Sequence, residues 1–367
     1  MIITRIKLLA GACFLIAFAQ VACAKDSERR VIFDEDFDWL TPESADLVLA
    51  RVKQAGFNVF VPAVWHGRGV TWPSKLAPKE PLWEKHANIA DPLRYLIKRA
   101  HELNIEVHPW FTVVLRQRDF LTSFYDEGTS DQAFNVHIPA FRAYIKRLIL
   151  EVVTNYDVDG INLDYIRSIG TCVSVYCQSD YKSKYKRDLE SDIGASEISD
   201  SARRTLISWN SAAVADIVRD VSLMVRRTKP RAILSIDTHA GSEGWKLQGA
   251  DGIAWANKGW IDVLYHMDYA RIAKINWGAI NNAIKQMSAP EKFILLVGNY
   301  EASPNDDSVV WPREADEVLK LIVAGRRVHG KVKGVALYEY RFMSDAQIDL
   351  LSRGPFKSAV ARHGMGR

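Results

Sequence analysis

The chain has 367 residues, 48% hydrophobic and 25% charged, with a formal net charge of +4. This is the balance of an ordinary globular protein long enough for a large core, which excludes fibrous, low-complexity and strongly charged chains. No stretch gathers Lys and Arg into a stripe, so the composition carries no nucleic-acid footprint.

The N-terminus reads apart from the rest. Arg5 and Lys7 precede an almost wholly apolar run, Leu8 to Val21. Ala22-Cys23-Ala24 then puts small residues where a signal peptidase reads, just before Lys25. The expectation is an export leader over 1–24, with one domain over 25–367 in the periplasm or outside the cell. The apolar run falls short of the ~20 residues a membrane span needs, so no transmembrane segment is expected after cleavage. Two alternatives stand beside this: an uncleaved anchor, and a lipid anchor at Cys23, although Gln20 stands where a lipoprotein leader usually has Leu. Without the leader, 46 basic residues face 44 acidic ones, a net charge of +2.

Beyond the leader, short β-rich runs alternate with amphipathic helical stretches. Val31–Phe33 is a first apolar run. Thr41-Pro42-Glu43-Ser44 signals a helix start, which runs to Gly56. Phe57–Pro62 predicts a second strand, Asp91-Pro92 opens a second helix, and Ile105–Phe111 predicts a third strand. A helix from Pro139 to Tyr156 leads to a fourth strand, Gly160–Asp164. Residues 168–200 form a polar insertion holding Cys172 and Cys177. In an oxidising compartment these should pair as one disulfide, a metal site being weaker because no further ligands lie nearby in sequence. The rhythm resumes with helix 201–227 and strands Ile233–Ile236 and Ile261–Tyr265. Then follow helix 272–287, strand Phe293–Val297, a helix from Glu314 ending near His329-Gly330, strand Gly334–Tyr338 and helix Ser344–Leu351.

Eight β/α units over this length predict an α/β fold, a single (β/α)8 TIM barrel with the cysteine-bearing insertion after strand four. The alternative, a doubly wound open sheet, lacks in its nucleotide-binding forms a Gly-rich turn after the first strand here.

Barrel enzymes work at the C-terminal ends of their strands. The candidates are therefore Trp65, His66 and Arg68 after strand two, His108 and Trp110 after three, and Asp164, Tyr165 and Arg167 after four. Asp237 and His239 follow strand five, His266, Asp268 and Tyr269 follow six, Asn299, Tyr300 and Glu301 follow seven, and Glu339, Tyr340 and Arg341 follow eight. Aromatic faces stack on sugar rings, and carboxylates grip hydroxyls or supply the acid and base of glycoside cleavage. Each residue also has a plainer reading: a carboxylate can cap a helix, and Trp65 and Trp110 can be core. His108, His239 and His266 lack HxH or HExxH spacing, so no metal and no cofactor is expected.

Three segments then point to a family. GFNVFVPAVWHGRGVTWPS (56–74) resembles the second-strand signature of the bacterial glycosyl-hydrolase-like 10 family. DPLRYLIKRAHELNIEVHPWF (91–111) is similar to its second helix and third strand, and DVDGINLDYIR (157–167) to its DGIxLDYIRY signature. The resemblance implies a TIM barrel, an extracytoplasmic location and glycoside hydrolase activity. A more distant similarity of LDxxR to α-amylase-like barrels implies a nucleophile or transition-state carboxylate at Asp164. The chain departs from the family pattern in YHMDYA after strand six, in Glu339 before Tyr340, and in Ser168 where the family has Tyr.

The resulting expectation is a glycoside hydrolase, monomeric, acting on a bacterial polysaccharide or cell-wall glycan. Asp164 would be nucleophile or base and Glu339 or Asp268 the acid. Trp65, His66, His108, Trp110, Tyr165, Arg167, Asp237, His266, Tyr269, Tyr300, Glu301 and Arg341 would bind substrate. The alternatives are a non-catalytic carbohydrate-binding barrel and a polysaccharide deacetylase.

Overall fold

The structure is a computed structural model that describes residues 28–86, 88–117, 119–328, 334–360 and 362. The proposed leader and the helix end near His329-Gly330 lie outside these residues.

Eight strands close into one parallel barrel: β1 (Arg29–Asp34), β2 (Val59–Trp65), β3 in two pieces (Glu106–Val107 and Trp110–Thr112), β4 (Gly160–Asp164), β5 (Ile233–Thr238), β6 (Val263–Asp268), β7 (Phe293–Gly298) and β8 (Gly334–Tyr338). Closure is visible in the register: Ile32 of β1 pairs with Phe60 of β2 on one side and Leu337 of β8 on the other. Each strand is followed by an outer helix: α1 (Pro42–Ala55), α2 (Pro92–Glu102), α3 (Pro139–Asn155), α4 (Asp200–Thr228), α5 (Gly252–Asn257), α6 (Trp277–Lys285), α7 (Ala315–Gly325) and α8 (Asp345–Arg353). The expected TIM barrel is thus the fold.

Local chemistry explains most boundaries. Thr41 and Ser44 form a reciprocal capping box at the start of α1, and Asp91 caps α2 through the Arg94 amide at 3.0 Å. Gly56 ends α1 at φ 90°, where a side chain would also strike Phe356, 2.7 Å from an added Cβ. The helices turn apolar faces onto the barrel. In α3 these are Phe141, Tyr144, Ile145, Leu148, Ile149, Val152 and Val153.

Three features differ from the sequence expectation. The third strand is broken at His108-Pro109, because proline has no N–H for the ladder, and its pairing with β2 shifts register between Ala63 and Trp65. The stretch after β7 is an antiparallel hairpin, Tyr300–Ser303 with Asp306–Pro312. The insertion is helical, over Val175–Tyr185 and Leu189–Ala195, and packs Tyr181 and Leu189 against Leu206 and Trp209 of α4. The Cys172–Cys177 disulfide is present, with its Cα atoms 6.0 Å apart. Among the described residues no helix is long and apolar enough to cross a membrane.

Candidate active site

Asp164 is the last residue of β4 and is 6% exposed. The chain turns sharply after it, with Tyr165 in the left-handed region at φ 49°. Such a conformation costs a non-glycine residue on the order of 1 kcal/mol and persists only where its surroundings hold it. Here the turn folds the Tyr165 amide back onto Asp164 Oδ1 at 2.6 Å. Burial raises the Asp164 carboxyl to about 6, against the opposing pull of that amide, of Arg167 and of Trp110. Trp110 lends Asp164 a hydrogen-bonding contact, although its indole N–H meets no partner in regular hydrogen-bond geometry.

A cavity of about 290 Å³ opens above Asp164 at the C-terminal end of the barrel. Trp110, Tyr165, Arg167, Tyr269 and Tyr300, all expected at the rim, line it. Tyr269 stacks on Tyr338, also in the lining, with centroids 5.0 Å apart and planes at 19°. His239, Trp245 and Met267 complete the wall beside Arg167. A larger hollow of about 510 Å³, around Arg271, Trp311 and Lys320, lies off the hairpin and holds none of these groups.

The second acid in the cavity is Glu35, which follows β1. Sequence reading assigned it no role, because the candidate rim began at strand two. The available signal was FDEDFDW (33–39), a run of acids directly after an apolar strand. The Glu35 carboxylate accepts from the Tyr338 hydroxyl and contacts His66 Nε2 at 3.3 Å. Burial, together with the charges of Asp164 and Asp36, raises it to about 7. Burial also holds His66 down to about 4, so His66 meets Glu35 as a neutral ring and not as an ion.

Other expected residues support the site from outside its lining. Asp237 is buried on β5, accepts from Asn162 Nδ2 at 3.0 Å, and is pushed well above the carboxylate range by burial and the Asp164 charge. Glu339, after β8, accepts from the Glu35 amide at 3.4 Å and is raised to about 8 by burial and the charges of Glu35 and Asp36. Arg341 pairs with Asp36 at 3.2 Å, and Arg68 with buried Glu80 at 2.6 Å.

The remainder lie elsewhere. Asp268 accepts from the Ala270 amide at 3.1 Å, a turn contact outside the lining. Trp65 is fully buried against Phe134, Phe120 and Tyr144. His108 is buried inside the barrel on Glu106 at 3.1 Å. His266 Nδ1 accepts from the Ala240 amide at 3.0 Å while its ring stacks on Phe293. Glu301 is held by Arg313 at 2.8 Å and Arg271 at 3.0 Å.

Two carboxyls, one permanent cation and an aromatic wall therefore share one concave site. Such a set can bind a sugar ring by stacking, donate a proton from one carboxyl and present the other as an anion.

Comparison with known proteins places this geometry in context. The model of the family described as Glycosyl hydrolase-like 10 matches residues 32–299. Glycosyl hydrolase YngK of Bacillus subtilis is 20% identical over 255 residues, covering 59% of this chain and 47% of that protein. Glycosyl hydrolase DigH of Escherichia coli K12 is 24% identical over 145 residues, covering 32% of each. The chain thus matches about a third to a half of the length of these relatives. Among solved structures, the glycoside hydrolase domain of PgaB (BpsB) from Bordetella bronchiseptica superposes with a TM-score of 0.64. It is 10% identical and covers 89% of this chain and 98% of that one, a likeness of fold.

Proposed function

The chain belongs to the glycosyl hydrolase-like 10 family, and from that premise we propose that it hydrolyses glycosidic bonds in a bacterial polysaccharide, with Asp164 and Glu35 as its carboxyl pair. The observation that carries this reading is that both acids line one aromatic cavity at the strand C-termini, Asp164 raised by burial against neighbours that favour its anion and Glu35 raised by burial and neighbouring acids. Glu35, at about 7, keeps its proton longer and is the general acid for the leaving oxygen. Asp164, at about 6, ionises first, aided by Arg167 and the Tyr165 amide, and is the nucleophile or the base for water. Tyr269 and Tyr338 offer the sugar a stacking face, and Tyr338 also orients Glu35 through its hydroxyl. Glu339 lies behind Glu35 and, raised to about 8 in part by the charge of Glu35, keeps its proton longer than the acid in front of it.

The test is turnover of purified full-length protein on a panel of bacterial polysaccharides, with product analysis and with Asp164→Asn and Glu35→Gln as controls. Hydrolysis lost in both variants while glycan binding persists supports the pair. Binding without turnover in the wild type would instead make this a non-catalytic carbohydrate-binding barrel. The anomeric configuration of the first product separates a nucleophilic role for Asp164 from a base role. For residues 1–24 we propose an export leader; protein recovered outside the cytoplasm should then begin at Lys25.

A further inference from the structure

Arg313 and the half-buried Arg167 show two different ways of holding a guanidinium. Arg313 is saturated, by Glu301 at 2.8 Å and by the carbonyls of Ala270, Gly298 and Tyr269 at 3.2, 2.8 and 2.9 Å. Arg167 makes no ion pair with any acid among the described residues, and its Nε is buried without a hydrogen-bond partner. Asp164 attracts it through space but spends Oδ1 on the Tyr165 amide. The guanidinium is nonetheless held in place. It lies 3.9 Å over the Trp245 ring and 5.6 Å from the centroid of Tyr165, and all three residues line the cavity.

A half-buried guanidinium that is oriented, permanently charged and without an ion pair keeps donors free for a ligand that enters the cavity. Neutral sugar hydroxyls need no such group, because tyrosines and carboxylates bind them. A planar fork of donors matches a carboxylate, which it takes in two parallel hydrogen bonds. The rest of the cavity allows a further negative charge. Glu35 is largely protonated below about pH 7, and Arg167 offsets the single charge of Asp164.

We propose that Arg167, held over the Trp245 ring, binds a carboxylate carried by the sugar next to the scissile bond, so that the substrate is an acidic glycan. This rests on the hydrolase reading of the same cavity. Trp245 is then a positioning residue, and Arg167 sets specificity. The carboxylate could belong to a uronic acid or to a pyruvyl ketal.

Two matched pairs of probes test this: a glucuronate-containing oligosaccharide with its carboxyl-reduced counterpart, and a pyruvylated oligosaccharide with its depyruvylated form. Dissociation constants are measured in the Asp164→Asn background and KM in the active enzyme. The expected result is a preference of about tenfold or more for the acidic member of one pair, which also identifies the source of the carboxylate. In Arg167→Met that preference should collapse toward one, while Arg167→Lys, which keeps the charge but not the fork, should fall between. Trp245→Ala should weaken the preference with the charge intact. No preference in the wild type for either acidic member overturns the proposal. So does an Arg167→Met variant that loses both members of a pair equally, which would reduce Arg167 to a tuner of Asp164. If no probe is hydrolysed but the Arg167-dependent preference persists in binding, the hydrolase reading fails and this one stands.

Discussion

The two walls of the cavity solve opposite electrostatic problems. On the side of β1 and β8, burial and the charges of neighbouring carboxylates, Asp36 among them in each case, hold Asp34, Glu35 and Glu339 above the usual carboxylate range. On the side of the loops after β4 and β5, Arg167 keeps its charge on the Trp245 face, while burial holds His239 below its ordinary value. Asp164 lies between them. Its charge raises Glu35, and Arg167 favours its own ionised form. The difference teaches how one site can keep a proton on one wall and an anion near the other: a crowd of acids retains protons, and a cation stabilises the charge left behind.

The harshest way to break this comparison is to remove the anion. Asp164→Asn should lower kcat by on the order of 10⁴-fold or more, measured on any polysaccharide the wild type cleaves, with binding retained. Removing the proton donor should cost less. Glu35→Gln should lose about 10²- to 10⁴-fold, and a substrate whose leaving group needs no protonation should restore most of its rate while leaving Asp164→Asn inactive. Rescue of both variants alike would dissolve the distinction between the walls.

Titration sharpens it further. Activity should rise with pH through about 6, as Asp164 ionises, and fall through about 7, as Glu35 loses its proton. Asp36→Asn removes a charge that raises Glu35, so the falling limb should move to lower pH. Stability should follow the crowded wall. The folded-state values of Glu35 and Glu339, about 7 and about 8, lie above their ordinary value of 4.5. The folded protein therefore binds protons that the unfolded chain has released, and this contribution, complete below the ordinary value, is lost as pH rises through 7 and 8. A thermal melt series should show Tm falling over that interval, and Glu339→Gln should flatten the fall. The smallest effect belongs to Asp268, which lies outside the lining: Asp268→Asn should change kcat/KM by less than about threefold.

Several features were legible without coordinates because they are local. GINLD was identifiable as a strand ending in Asp164, and Thr41 and Asp91 as caps, because hydrophobic pattern and capping chemistry act over a few residues. The pairing of Cys172 with Cys177 needed only their spacing and an oxidising setting. Trp65 and Trp110 looked alike as aromatics near strand ends. The break at Pro109 and the register shift beside it leave one packed under α3 and the other in the cavity, a matter of which way a strand faces. Glu35 was passed over because its partner lies at the far end of a different strand and its significance appears only when the barrel closes.

The sequence by itself determined the alternation that makes a barrel, the family signature around Asp164 and the disulfide, since each rests on contacts among neighbours along the chain. The tertiary structure decided which acid faces Asp164, which aromatics line the cavity and which arginine faces it without an ion pair. Those depend on burial and on charges brought together from distant strands, and no local pattern encodes either.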